Sequence, residues 1–115
     1  MKVIIAGGRD FNDYELLKKE TDMFLKDELW TAEIVSGGAK GADKLGEQYA
    51  RYRGLALTQF HADWSNGKQA GPIRNAEMAD YADALIAFWD GKSRGTANMI
   101  QNAKNKGLII KIVNY

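Results

Sequence analysis

Short apolar runs alternate with longer segments of helical periodicity along the whole chain. Each run is three to six residues long, and several are rich in β-branched residues. Such runs are typical of strands that are buried on both faces of a sheet. The pattern predicts five strands, at residues 3–6, 33–35, 55–57, 84–88 and 108–113.

Helical periodicity follows the first and second apolar runs. Asn12 and Glu15 have the spacing of a capping box, which predicts a first helix over about residues 13–28. The second helix is marked by apolar residues at helical spacing, namely Leu45, Tyr49 and Tyr52.

The last two helices have recognisable ends. Pro72, the only proline, suits the first turn of a third helix, because its ring presets φ and its missing N–H costs nothing there. The residues of this helix expected to face inward are Ile73, Ala76 and Ala79. The fourth helix is predicted from near Thr96 to Gly107, a residue suited to a left-handed helix end.

Strands that alternate with helices predict a mostly parallel sheet with right-handed crossovers. We therefore expect an α/β fold: one three-layer domain over residues 1–115, with a five-stranded sheet and helices on both faces. A strand order of 3-2-1-4-5 would put the first and fourth strands on either side of the point where the order reverses. Ligands bind at that point in open α/β sheets.

Composition narrows the function. The 115 residues suffice for one hydrophobic core, and no apolar run is long enough to span a bilayer, so no membrane role is predicted. The absence of cysteine favours a cytoplasmic protein, and the single histidine is poor evidence for a metal site, so no metal is predicted. A net charge of +1 argues against a protein that coats nucleic acid.

Three short segments concentrate glycine and basic residues directly after predicted strands, at residues 7–11, 36–43 and 90–96. Glycine lets backbone N–H groups approach an anion closely, and a following helix start adds N–H groups and a favourable dipole. The carboxyl ends of parallel strands share one edge of the sheet, so the three segments meet there. This arrangement predicts a phosphorylated ligand.

A fourth polar segment, residues 61–78, is longer than ordinary connections in α/β folds. The guanidinium of Arg74 suits bidentate contact with phosphate, and the amide of Asn75 suits ribose or base. Lys68 adds a further cation. Trp64 either fixes the loop to the body or stacks on a base.

Two carboxylates are the candidates for general acid or base chemistry. Glu77 lies on the opening turn of the third helix, and Asp90 ends the fourth strand, where α/β folds often hold a functional carboxylate. The alternative is that Glu77 is a solvated residue of the helix surface.

Four motifs in this order resemble the SLOG superfamily, and in particular its YspA/YpsA-related group. They are Gly-Gly-Arg-Asp-Phe at 7–11, Ser-Gly-Gly-Ala-Lys-Gly-Ala-Asp at 36–43, Gly-Pro-Ile-Arg-Asn-Ala-Glu-Met at 71–78, and residues 87–96. The resemblance covers nearly the whole chain. It implies a Rossmann-like fold that binds nucleotides or ligands derived from them, including molecules related to NAD and ADP-ribose.

The same superfamily contains the LOG-type phosphoribohydrolases. Arg74 and Met78 resemble the helix-start element of their signature, and residues 91–96 resemble its glycine loop. Where that loop continues with two glutamates, this chain has Asn98 and Met99. An amide is not a base at neutral pH, which argues against glycosidic cleavage of the LOG type.

The sequence thus predicts a nucleotide-binding protein with an unspecified nucleotide ligand at the carboxyl edge of the sheet. The predicted ligand-binding residues are Gly7, Gly8, Arg9, Asp10, Ser36, Gly37, Gly38, Lys40, Gly41, Asp43, Lys68, Arg74, Asn75, Asp90, Gly91, Ser93, Arg94, Gly95 and Thr96. Asp43 is interpreted as a residue that orients its loop rather than as a phosphate ligand.

Two other functions stay open. One is a hydrolase that cleaves an N-glycosidic or phosphate bond, with Glu77 or Asp90 activating water. The other is single-stranded nucleic-acid binding through Trp64 and Lys68, as in the related DprA proteins, against which the near-neutral charge argues. Because SLOG relatives often self-associate, the resemblance also implies a homo-oligomer.

Overall fold

A computed structural model describes all residues from 1 to 115. The strands are β1 (Lys2–Gly7), β2 (Glu33–Ser36), β3 (Ala56–Gln59), β4 (Ala84–Trp89) and β5 (Ile109–Asn114). The helices are α1 (Tyr14–Leu25), α2 (Ala42–Arg53), α3 (Ala70–Tyr81) and α4 (Arg94–Asn105). Two short 3-10 helices, Lys26–Thr31 and Trp64–Gln69, precede β2 and α3.

All five strands are parallel, in the order β3-β2-β1-β4-β5. The register pairs Val3 with Ala84 and Gly7 with Phe88, so β1 and β4 end together at the same edge. The chain order reverses between these two strands. The predicted Rossmann-like α/β fold and its strand order are confirmed.

The core has two layers, one on each face of the sheet. Val3 and Ile5 pack with the buried residues of α1 and α2, whereas Ile4 and Ala6 pack with those of α3 and α4. Successive side chains of a strand point to opposite faces, so β1 supplies both layers. Helices therefore cover both faces of the sheet, as predicted.

The two edge strands are less buried than the other three. The prediction that the strands are mostly buried on both faces is correct for β1, β2 and β4, whereas the residues of β3 and β5 are exposed or half-buried. In β5, Ile109 is 56% exposed and Ile112 is 38% exposed. Each edge strand has one neighbour, and the helices pack mainly over the middle of the sheet.

Helix α1 is capped by Asp13, not Asn12: Asp13 Oδ1 accepts a hydrogen bond from Leu16 N at 3.1 Å. Carboxylate and amide caps are nearly equivalent, so the sequence did not discriminate between neighbouring positions. The helix ends at Leu25, earlier than predicted, because Lys26 has a φ of +46° and starts a 3-10 turn.

The predicted inward facing of Ile73 is wrong, because this residue is 45% exposed. Helix α3 begins at Ala70, two residues before Pro72, and its inward face carries Met78 instead. The predicted end of α4 is confirmed: the helix ends at Asn105 with Lys106 as its C-cap, and Gly107 follows with a φ of +73°. None of the helices combines the length and the apolar character that crossing a bilayer requires.

Candidate functional site

A cavity of about 600 Å³ opens where β1 and β4 end. Its wall comes from the β1–α1 loop, the first turn of α2, the 3-10 helix before α3, helix α3 itself and the β4–α4 loop. This is the place where strand order reverses, so crossovers leave in opposite directions and open a crevice. The glycine-rich segments after β1 and β4 meet here, as the strand order required.

Thirteen of the predicted site residues line this cavity: Gly7, Gly8, Arg9, Asp10, Asp43, Lys68, Arg74, Asn75, Asp90, Ser93, Arg94, Gly95 and Thr96. Three others, Gly37, Gly38 and Lys40, line a shallow depression that shares Arg9, Trp64 and Arg74 with the cavity. The remaining four, Ser36, Gly41, Glu77 and Gly91, line neither.

The first two loops pack backbone against backbone. Gly41 has a φ of +77°, and a Cβ on it would lie 2.2 Å from the carbonyl oxygen of Gly8. The same oxygen accepts a hydrogen bond from Ala42 N at 3.2 Å. Gly41 therefore contributes by letting the α2 start approach the β1–α1 loop.

Arg74 is held by two hydrogen bonds within the chain. Its Nη1 donates to the Gly37 carbonyl oxygen at 2.7 Å, and its Nε donates to Asn75 Oδ1 at 3.1 Å. The guanidinium is thus fixed between the β2–α2 loop and α3. Its Nη2 donates to no group of the protein, so it retains donors for a ligand.

Asp43 stands in the first turn of α2 and is only 6% exposed. Its Oδ2 accepts a hydrogen bond from Ala39 N at 3.1 Å. Burial raises the pKa of Asp43 to about 6, against the opposing effects of the Ala39 bond and of the Arg74 and Arg9 charges. The cavity wall therefore contains a buried carboxyl group whose pKa lies well above its ordinary value.

The β4–α4 loop is shaped by its own carboxylate. Asp90 Oδ1 accepts hydrogen bonds from Lys92 N and Ser93 N, both at 2.8 Å, and these bonds lower the pKa of Asp90. Ser93 caps α4 and its Oγ lies 3.1 Å from Thr96 Oγ1. The 12-residue helix α4 thus presents its N-terminal turn to the cavity.

Asn75 ties α3 to α4. Its Nδ2 donates to Asn98 Oδ1 at 2.9 Å and to the Gly95 carbonyl oxygen at 3.3 Å. Its Oδ1 accepts from Arg74, and the residue is 6% exposed. These hydrogen bonds give Asn75 a positioning role in addition to its place in the cavity wall.

Ser36 lies beneath the second loop. Its Oγ donates to Glu47 Oε2 at 2.7 Å and accepts from Gly38 N at 3.1 Å. Burial alone would raise the pKa of Glu47, but the hydrogen bonds from Ser36 and Gln59 together with the nearby Lys44 outweigh burial and lower it. Ser36, which the sequence predicts to bind the ligand, therefore uses its hydroxyl to support the loop.

Cations at the site have no anionic partner in the protein. The chain's five ion pairs use Lys18, Lys44, Arg53, Lys106 and Lys111. The basic side chains of the cavity wall take part in none of them; they are Arg9, Lys68, Arg74 and Arg94. Unpaired cations that converge on one cavity are suited to an anionic ligand.

Apolar groups complete the wall. Met78 and Met99 are buried beneath the polar residues, and Trp64 lies at the rim with 60% of its surface exposed. Trp64 begins the 3-10 segment in which Gly67 has a φ of +68°. The cavity therefore combines an apolar floor and an exposed aromatic ring with a cationic rim.

Glu77 is exposed on α3 and does not reach the cavity, so the structure does not bring it together with the other predicted residues. The chain contains no cluster of three or more His, Cys, Asp or Glu residues that could hold a metal ion.

Sequence reasoning missed several contributors to this region. Tyr115 donates a hydrogen bond to Asp10 at 2.6 Å across 105 positions and packs edge-on against Phe11. Glu47 and Asn98 act through hydrogen bonds to Ser36 and Asn75. No local motif marks these residues, because their partners are brought to them only by the sheet.

Solved structures with the same fold include two DNA processing proteins. DprA from Streptococcus pneumoniae superposes with a TM-score of 0.77 at 18% identity, over 96% of this chain and 49% of that chain. DprA from Helicobacter pylori superposes with a TM-score of 0.65 at 22% identity, over 97% of this chain and 64% of that chain. The chain thus spans about half to two thirds of their length, and the likeness shows the fold.

Sequence comparison is more specific. The Gene 61 protein of Mycobacterium phage D29 is 34% identical over 121 residues, which cover 99% of this chain and 95% of that protein. The sequence model of the YspA, cpYpsA-related SLOG family (YAcAr) matches residues 1–67, which include the first two glycine-rich segments. The chain belongs to this YspA, cpYpsA-related SLOG family.

Proposed function

We propose that the cavity binds the phosphate of a nucleotide or of a nucleotide-derived small molecule. The observation that carries the proposal is the convergence of four unpaired cations on one cavity at the switch point of the sheet. A cavity of about 600 Å³ matches the size range of small-molecule and cofactor sites.

Backbone geometry supports a phosphate at this place. The β4–α4 loop leads directly into the first turn of α4, and Gly95 and Thr96 of that turn line the cavity. Free N–H groups and the dipole at a helix start favour an anion. Arg94 in the same turn and Arg9 in the β1–α1 loop add positive charge to the cavity wall, and neither forms an ion pair within the chain.

The remaining wall supports a nucleoside part of the ligand. The exposed ring of Trp64 is suited to stacking on a base, and the buried Met78 and Met99 add apolar surface to the same cavity wall. Phosphate alone would use only the cationic side chains, whereas a nucleotide would also use this apolar surface.

The test is a binding panel of AMP, ADP-ribose, NAD and cyclic nucleotides, read by thermal shift and by calorimetry. A ligand that binds the native state raises its stability by RT ln(1 + [L]/Kd), so a specific ligand gives a clear shift. Each mixture is also separated by chromatography, and we expect the ligand to remain intact, because Glu77 lies outside the cavity and Asp90 is engaged by its loop. Product formation would favour a hydrolase instead.

A matched pair of variants locates the binding. Arg94 lines the cavity, whereas Lys92, two residues earlier, is exposed and does not. Arg94→Gln should weaken binding of the panel ligand, while Lys92→Gln, which removes the same charge from the same loop, should leave it nearly unchanged. Equal loss in both variants would indicate a general charge effect and would contradict this cavity as the site.

A second candidate function is binding of single-stranded nucleic acid. The Helicobacter pylori DprA of the same fold binds single-stranded DNA, and here Trp64 and Lys68 stand exposed at the cavity rim. This function predicts that a labelled oligonucleotide binds with an affinity that falls steeply with salt. Oligonucleotide binding that an excess of free nucleotide does not displace would favour it over the first proposal.

A further inference from the structure

Three carboxylates line the cavity, and Asp43 differs from the other two. Asp10 is exposed and accepts a hydrogen bond from Tyr115, and Asp90 accepts two from backbone N–H groups. Asp43 is buried, and only its Oδ2 is engaged, by Ala39 N. Its Oδ1 accepts no hydrogen bond from the protein, although the side chain belongs to the cavity wall.

Two arginines face this carboxyl group from different elements. Arg9 comes from the β1–α1 loop and Arg74 from α3, and both charges act on Asp43. A Cβ on Gly37 would lie 2.8 Å from Arg74 Nη1 and 2.9 Å from Asp43 Oδ2, so the missing side chain of Gly37 makes room for both groups. Neither arginine comes within 4.0 Å of the carboxylate as an ion pair. The charge of Glu47, on the same helix as Asp43, raises the pKa of Asp43, whereas the two arginines lower it.

A phosphate attracted by Arg9 and Arg74 therefore arrives beside a buried carboxyl group. A phosphate held beside the buried carboxylate would repel its negative charge, and the repulsion favours protonation of the group with the higher proton affinity. Phosphodiester and diphosphate diester oxygens are far weaker bases than a carboxylate whose burial raises its pKa to about 6. The proton therefore goes to the carboxyl group.

We propose that Asp43 takes up one proton from solvent when a phosphate group binds between Arg9 and Arg74, and that its carboxylic acid then donates a hydrogen bond to a phosphate oxygen. This inference rests on the proposed function and specifies how that site recognises its anion. The proton is the only species transferred, and no covalent bond of the ligand is broken. An ionised Asp43 would instead accept a hydrogen bond from a sugar hydroxyl, which is the competing arrangement.

The probe is ADP-ribose, whose diphosphate diester does not titrate between pH 5.5 and 8, unlike a phosphate monoester. Calorimetry of the wild-type protein in buffers of different ionisation enthalpy counts the protons taken up on binding. At pH 7.5 we expect close to one proton for each ADP-ribose bound. The affinity should fall about tenfold for each unit of pH between 6.5 and 8. Binding without proton uptake, or with a flat pH profile, overturns the inference.

Two variants test whether Asp43 is the group that takes up the proton. Asp43→Asn supplies a donor that does not titrate, and its amide oxygen can still accept from Ala39 N. It should bind ADP-ribose at pH 8 at least about tenfold more tightly than the wild type, without proton uptake. His61→Gln is the control, because it removes the only histidine of the chain, and it should keep the wild-type profile.

The experiments distinguish failure of the proton coupling from failure of the proposed function. If Asp43→Asn melts as a folded protein yet binds ADP-ribose more weakly at every pH, the carboxylate is an acceptor and the inference is wrong. If no member of the nucleotide panel, ADP-ribose included, binds at any pH, the proposed function itself is wrong and the proton coupling with it. If ADP-ribose binds but takes up no proton, only the coupling is lost.

Discussion

Arg74 donates a 2.7 Å hydrogen bond to the carbonyl oxygen of Gly37, 37 positions earlier in the chain. The bond joins the start of α3 to the loop after β2, and Asn75 Oδ1 holds the same guanidinium from the other side. An arginine fixed in this way presents its remaining donors to the cavity at little further entropic cost. One side chain thus both holds the β2–α2 loop and contributes to the positive charge of the cavity.

Arg74→Lys should separate charge from geometry. Lysine keeps the positive charge but cannot make both hydrogen bonds, so we expect ADP-ribose to bind at least about tenfold more weakly, or about 1.4 kcal/mol. Calorimetry at fixed salt measures the change. Arg94→Lys is the control and should cost less, because the Arg94 side chain, unlike that of Arg74, makes no hydrogen bond within the chain. Equal losses in the two variants would contradict a geometric role for Arg74.

Ser36→Ala should destabilise the fold through Glu47. The substitution leaves a carboxylate that is 2% exposed without its 2.7 Å hydrogen bond, a loss of about 2 kcal/mol for a bond to a charged group. The folded-state pKa of Glu47 is lowered, so its contribution is present at neutral pH and is lost as pH falls through that pKa. Urea unfolding at pH 7 and pH 4 should therefore show a larger difference between wild type and variant at pH 7.

Asp43→Asn should stabilise the ligand-free protein at neutral pH. Burial raises the pKa of Asp43 from 3.8 to about 6, so the folded state binds the proton more tightly than the unfolded chain. The resulting stability is complete below about pH 4 and is lost as pH rises through 6, at a cost of about 3 kcal/mol at most. The variant should gain up to that amount at pH 7.5 and little at pH 4. A variant no more stable than the wild type at pH 7.5 would contradict the raised pKa.

Trp64→Ala should affect ligand binding and leave stability nearly unchanged. The side chain is 60% exposed, and substitutions at such positions change the free energy of unfolding by about 0.5 kcal/mol or less. Loss of base stacking should weaken nucleotide binding by about 1–3 kcal/mol. Trp30, 70% exposed in the first 3-10 helix and outside the cavity, is the matched control. Trp30→Ala should bind normally; if both variants bind like the wild type, the ring does not stack on the ligand.

Gly41→Ala should destabilise the protein more than Gly54→Ala. Both glycines have positive φ, +77° and +68°, but only a Cβ on Gly41 meets backbone, 2.2 Å from the Gly8 carbonyl oxygen. Gly54→Ala should lower the free energy of unfolding by about 1 kcal/mol, because alanine is strained in the left-handed conformation. Gly41→Ala should cost more, because its Cβ must also displace the β1–α1 loop. Chemical denaturation compares the two, and equal costs would show that the two loops separate freely.

Much of the fold followed from the sequence because its signals are local. Apolar runs of three to six residues identified all five strands, and their alternation with helices required parallel crossovers. The end of α4 at Gly107 was marked by the residue type itself. The facing of Ile73 was wrong, because periodicity fixes which residues share a side of a helix but not which side meets the sheet.

The sequence by itself determined the chemistry that gathers at one edge: glycine loops after β1, β2 and β4, with basic residues inside them. Parallel strands end at a common edge, so this placement needed only the element order. Tertiary structure alone decided how the side chains are used. It engaged Ser36 with Glu47, joined Asn75 to Asn98 and left Asp43 buried beside Arg9 and Arg74. Burial and hydrogen-bond partners depend on residues far apart in the chain, and no local pattern encodes them.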